Sequence, residues 1–129
     1  MLQMLPAVKL RSAVFQGPSA TEDVAANLQT INDVLVEALA MGVDLVLFPE
    51  LYLHGYDARA LVMRRLALDT SLYGRISRGA ALEGGAGLEP LVRISDMARE
   101  CGVAVAFGYC ERGGKERFYN SCMLFDAKT

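Results

Sequence analysis

One local pattern occurs twice in this sequence and constrains the fold more than any other: an amphipathic helix, a glycine, then a short apolar strand. In the first copy the spacing predicts a helix from about Thr21 to Met41, with Val24, Leu28, Ile31, Leu35 and Leu39 on one apolar stripe. Gly42 follows as a helix stop, since a left-handed terminal residue costs glycine nothing. Val43 to Phe48 then reads as a buried strand. In the second copy Pro90 suits the first turn of a helix, by its fixed φ. Leu91, Ile94, Met97 and Cys101 make the stripe, Gly102 the stop, and Val103 to Phe107 the strand. Helices that must bury one stripe, each feeding a strand, are the grammar of an α/β fold.

The other elements fit around these two units. A first strand is expected from Val8 to Gln16, ended by Gly17-Pro18 because proline cannot continue a ladder. Ser19 and Glu22 stand three apart, as in a capping box, with Thr21 the alternative cap. Asp57 is a candidate cap for a helix from about Ala58 to Leu68. Asp69 to Leu88 reads as a loop containing Gly74, Gly79, Gly84, Gly85 and Gly87. A last strand, Phe118 to Phe125, follows the turn Gly113-Gly114 and runs into what looks like the start of another turn.

Size and charge exclude several classes. At 129 residues the chain makes one modest domain. Hydrophobic residues at 53% and charged residues at 22% are a globular composition, not a disordered one. Thirteen Lys+Arg against fifteen Asp+Glu give −2, which argues against a general nucleic-acid binder. No uninterrupted apolar stretch reaches the roughly 18 residues of a membrane span. The N-terminus lacks a basic region and a small-residue cleavage site, and Cys101, Cys110 and Cys122 lack CxxC spacing. Free thiols in a reducing compartment, hence a cytoplasmic protein, are the expectation. His54 alone cannot build a His-rich metal site, and neither metal nor cofactor is expected.

Glu50 is the most informative single residue. It lies just past the apolar strand, separated from it by Pro49, and in α/β sheets ligands bind beyond the carboxyl ends of strands. A carboxylate partly desolvated there has its charged form disfavoured and becomes a better general base near neutral pH. A solvated loop glutamate is the plainer reading, and position alone leaves both open. Glu111 holds a similar place after Val103 to Tyr109, although Arg112 beside it fits a solvated turn. The two glutamates are expected on neighbouring strand ends, Glu50 mostly buried, facing one cavity. Asn120, entering the last strand, is a side chain that either pins backbone at a site or closes a turn. Gly108 to Lys115 is nearly a phosphate loop, but Gly114 stands where lysine is required, so a hairpin turn is expected. Gly84 to Gly87 lacks the preceding strand of a dinucleotide fingerprint. Arg59, Arg64, Arg65, Arg75 and Arg78 cluster between the two repeated units, as a solvated face or as a meeting point for an anionic substrate or partner.

These residues, taken in order, resemble the carbon–nitrogen hydrolase (nitrilase) superfamily. Phe48-Pro49-Glu50-Leu51 followed by Gly55-Tyr56 is similar to its glutamate motif. Ala13-Val14-Phe15-Gln16 and Asn27 are similar to its opening, and Gly102-Val103, Gly108-Tyr109, Glu111-Arg112 and Tyr119-Asn120-Ser121 to the stretch that follows. The resemblance runs from about Arg11 to the last residue. It implies an α-β-β-α sandwich, of which this chain supplies roughly the first half as the N-terminal portion of one domain. It implies hydrolysis of a small amide, carbamoyl compound or nitrile through a glutamate base, a lysine and a cysteine nucleophile. Glu50 would be the general base, Glu111 a supporting glutamate, and Tyr56 and Asn120 would shape or brace the substrate pocket; a homo-oligomer is expected.

The lysine and cysteine motifs of that family have no counterpart in this sequence. Lys128 comes too early and lacks the motif, Cys101 falls on an apolar helix stripe, and Cys110 and Cys122 flank a hairpin. The expectation is a chain that helps shape a site without turning over substrate by itself. Two other readings stand beside it. One is a non-catalytic α/β paralogue that pairs with other subunits. The other is a carboxylate-pair hydrolase, which needs Glu50 and Glu111 roughly 5–10 Å apart across a cleft.

Overall fold

The computed structural model describes residues 2–4, 7–70, 87–114 and 116–127. Seven elements are described: β1 (Ser12–Val14), α1 (Val24–Ala40), β2 (Leu45–Leu47), α2 (Ala60–Leu66), α3 (Glu89–Cys101), β3 (Ala104–Arg112) and β4 (Phe118–Phe125). The strands form one sheet in the order β1-β2-β3-β4. β1, β2 and β3 run parallel, and β4 returns antiparallel to β3. Most of the expected glycine-rich loop, with Gly74, Gly79, Gly84, Gly85, Arg75 and Arg78, lies outside the described residues.

Both repeated units form. Gly42 and Gly102 stop α1 and α3 with φ of 69° and 66°. Leu28, Ile31 and Leu35 of α1 pack with Leu91, Ile94 and Met97 of α3 over Val46, Val105 and Phe107 of the sheet. On the opposite face Val14 and Leu124 are each 63% exposed, and Leu47 is 37% exposed. The described residues thus form one layer of helices on one layer of sheet, with the second sheet face open. A doubly wound fold would carry helices on both faces.

Several local expectations are corrected. β1 is three residues rather than nine, because its ladder partner β2 is itself only three residues long; Val8 and Leu10 beyond it are exposed. The cap of α1 is Asp23, whose carboxylate accepts from Ala26 N–H at 3.0 Å. Neither Ser19 nor Thr21 caps it, since Ser19 Oγ takes the Tyr56 N–H and the Glu22 carboxylate is bound to Arg59. Leu39 is exposed and Ala38 buried in its place, as the helical stripe drifts by one position in the last turn. α2 is shorter than expected and Asp57 does not cap it: its N-cap is Arg59, with no side-chain cap. Gly108 lies inside β3 and Gly113-Gly114 form the turn, which leaves no phosphate loop. Among the described residues no helix is long and apolar enough to cross a membrane.

Candidate active site

After β2 the chain stays on the sheet for two more bonds: Phe48 N–H donates to the Ala106 carbonyl at 2.8 Å, and Pro49's carbonyl accepts from Gly108 N–H at 3.3 Å. It then folds over β3. A Cβ on Gly108 would lie 2.4 Å from Leu51 N and 2.8 Å from Glu50 Cα, so only glycine admits the turn. Leu51 takes φ 51°, a left-handed conformation a branched residue adopts at a cost of about 1 kcal/mol or more. Its carbonyl accepts from the N–H groups of His54 and Gly55 at 3.2 and 3.0 Å, which offsets that strain. Glu50 therefore stands at a fixed point beyond the carboxyl end of β2, on the open face of the sheet.

Three struts hold this turn. Asn27, buried in α1, accepts from Ala20 N–H at 2.7 Å and donates to the carbonyls of Ala20 and Leu53 at 2.9 and 3.1 Å. Phe15, Phe48 and Tyr52 stack with ring centroids 5.0 to 5.6 Å apart. His54 is fully buried: its Nδ1 accepts from Cys110 N–H at 3.0 Å, and its Nε2 lies 3.0 Å from the Leu66 carbonyl. A carbonyl can only accept, so Nε2 carries the proton and the ring is the neutral Nε2–H form. Burial holds the imidazole below its usual pKa, against a smaller pull from the Leu66 carbonyl.

Asn120 Nδ2 donates to Glu50 Oε1, so these two predicted residues meet. Glu111 does not join them. Residues alternate across a strand, and Asn120 pairs with Cys110, one position out of phase with Glu111. The Glu111 carboxylate lies instead on the face of Tyr109, accepting from Tyr109 OH at 2.9 Å and Thr70 Oγ1 at 3.0 Å. Burial pushes this carboxyl up, but the hydroxyls of Tyr109, Ser121 and Thr70 together hold it below its ordinary value. Burial, with Glu111 beside it, pushes the Tyr109 phenol up. The expected shared cavity is therefore overturned, and with it the carboxylate-pair reading. Glu50 is also exposed, not mostly buried, because it rides on a turn over the sheet's uncovered face. Tyr56 stands apart: its backbone is held by Ser19 and its side chain is 66% exposed.

The cysteines are dispersed. Cys110 is buried and Cys101 partly buried, and burial raises the pKa of both thiols; Cys122 is exposed on the open face. Among the described residues no three His, Cys, Asp or Glu side chains converge as a metal site. Sequence reasoning missed the structural roles of Gly108, His54 and Asn27. The one signal pointing to them was a glycine inside an apolar strand run, which marks a close backbone approach.

A helix-backed α/β sheet with a carboxylate fixed beyond a parallel strand's end has the layout in which such sheets place ligand sites. More narrowly, the chain belongs to the carbon-nitrogen hydrolase family, whose model matches residues 11–129. It is similar to a hydrolase encoded in the pqqF 5' region of Pseudomonas protegens, at 33% identity over 92% of this chain and 35% of that protein. It is also similar to a bromoxynil-specific nitrilase of Klebsiella pneumoniae subsp. ozaenae, at 30% identity over 91% of this chain and 32% of the other. Among solved structures, an amidase from Nesterenkonia sp. shares the fold with a TM-score of 0.64, at 22% identity over 92% of this chain and 39% of that one. The chain spans about a third of the length of these curated relatives.

Proposed function

We propose that this chain is the N-terminal, glutamate-bearing portion of a hydrolase of non-peptide carbon–nitrogen bonds, acting on a small amide, carbamoyl compound or nitrile. The observation that supports it is the Glu50 carboxylate, set beyond β2 on a turn that Gly108 alone admits and oriented by Asn120. In this reading Glu50 is the general base. It takes the proton of a cysteine thiol, the thiolate attacks the amide carbon, and Glu50 returns the proton to the nitrogen, which leaves as ammonia before water releases the acyl group. The lysine and the cysteine nucleophile come from outside these 129 residues. Glu111, locked among hydroxyls behind the sheet, supports the site by tethering Thr70 to β3 and does not touch substrate. Asn120 braces Glu50, and Tyr56, which stands apart from them, has no part in this reading.

Ammonia release from a panel of small amides and nitriles tests this. The 129-residue chain alone is expected to show no turnover, since losing the nucleophile of a covalent mechanism removes nearly all of the acceleration. In a chain extended to the length of its relatives, Glu50→Gln should lower kcat/KM by roughly a hundredfold or more. An extended Glu50→Gln chain as active as its parent would remove Glu50 from the mechanism. Turnover by the short chain that disappears in Cys110→Ala or Cys122→Ala would return the nucleophile to a cysteine set aside above.

A further inference from the structure

Two guanidiniums share the open face with Glu50. Arg112, the last residue of β3, and Arg64, from α2, both lie over the Phe118 ring, at 5.1 and 5.6 Å from its centroid. Arg112 also donates to the Arg64 carbonyl, which fixes its guanidinium beside the end of α2. The ladder register puts them on Glu50's side of the sheet: Arg112 pairs with Phe118 as Cys110 pairs with Asn120, and these alternate positions share one face. Phe118 and Asn120 are two residues apart on β4, about 7 Å along the strand.

What distinguishes this pair is that two guanidiniums share one ring without an internal counter-charge among the described residues. Among the described residues the ion pairs are Glu22 with Arg59 and Asp96 with Arg99. Arg59, a neighbour in sequence, is thus taken up by an internal tie, while Arg64 and Arg112 form no ion pair among the described residues. Two like charges stacked on one ring repel each other, and an anion between them relieves that repulsion. The planar guanidinium fork also matches a carboxylate in two-bond geometry, as an ammonium does not.

Resting on the hydrolase reading of Glu50, we infer that Arg64 and Arg112 are substrate-selecting residues and that the substrate is an anionic one, an amide or nitrile carrying a carboxylate about 7 Å from the reacting carbon. The carboxylate sits on the two guanidiniums over Phe118 while the carbon–nitrogen group reaches the Glu50–Asn120 end of the same face. Phe118 is the ring over which both guanidiniums lie.

Titrating the isotope-labelled chain with adipamate (the monoamide of the six-carbon diacid), its neutral diamide adipamide, and adipate, read by NMR, tests this. Adipamate should shift both the Asn120 side-chain amide and the Arg64 and Arg112 side chains, and bind roughly tenfold or more tighter than adipamide. Arg64→Gln should erase that preference and leave the fold intact, because the bond to the residue-64 carbonyl survives. Arg112→Lys, which keeps the charge but not the fork, should retain only part of it. Raising salt should weaken adipamate and leave adipamide unchanged. Equal binding of the two amides at Asn120 would overturn the selection by arginine and leave the hydrolase reading standing. Shifts at the arginines with none at Asn120 for either amide would overturn both.

Discussion

On one face of the sheet Val105 and Phe107 are sealed under α1 and α3; on the other, Val14 and Leu124 are each 63% exposed. The covered face follows simple rules: alternate strand residues point inward and two amphipathic helices close over them. The open face follows different ones. It carries the strained turn at Leu51, the obligatory Gly108, the Glu50–Asn120 contact and the Arg64–Arg112 pair. Stability is concentrated on the first face and the proposed chemistry on the second. An uncovered apolar surface beside polar groups is also what marks an interaction site.

The sharpest test sets the two faces against each other. Phe107→Ala empties a fully buried position and should cost about 3–5 kcal/mol in urea unfolding. Leu124→Ala, on the neighbouring strand but facing out, should stay within about 0.5 kcal/mol. Similar costs at the two positions would break the contrast.

Next in size is Gly108→Ala, where a single methyl meets backbone on the open face. It should cost about 1–3 kcal/mol and displace the Glu50 turn, seen as a changed Asn120 side-chain signal. An unchanged signal at unchanged stability would mean the turn does not rest on Gly108.

His54 ties the Glu50 turn to β3 and to the end of α2, and its effect is one of pH. Its folded pKa lies below the unfolded value of 6.5, so the unfolded chain takes up the proton first. The stability it contributes is present above pH 6.5 and is lost as pH falls through the lower folded value. The urea midpoint should drop between pH 7.5 and pH 5 more in the parent than in His54→Gln, about half a molar being readily measured. Equal drops would show that the imidazole is not the titrating group.

The smallest effect on stability, and the most direct probe of the open face, is Leu124→Lys. Unfolding should be nearly unchanged while light scattering moves from associated species toward monomer. A parent chain already monomeric would show that this face needs no cover.

Legibility divides along the same line. β4 runs from Phe118 to Phe125 as expected, both glycine stops are left-handed, and the two helices share a face. The strand and the stops depend on neighbours within a few residues, and the shared face follows from the sandwich that the family resemblance implies. What escaped depends on distant partners. The cap of α1 shifted to Asp23 because Arg59 binds the Glu22 carboxylate, holding it down at about 2. Glu111 was misplaced because strand ends can adjoin while side chains diverge, and Glu50 had left the strand period for a turn. The arginine cluster was visible as composition, but not which members are neutralised.

The ladder also carries a consequence for the order of assembly. β3 and β4 are joined by a tight turn, so their pairing closes a short loop and can form in microseconds. β2 finds β3 only across the intervening segment that holds α2 and α3, and β1 finds β2 only after α1 has been laid down. Closing those long loops costs chain entropy before any contact returns it. The Glu50 turn crosses Gly108 at that late β2–β3 junction. It should be among the last features to form during folding and, in hydrogen exchange, among the first to open.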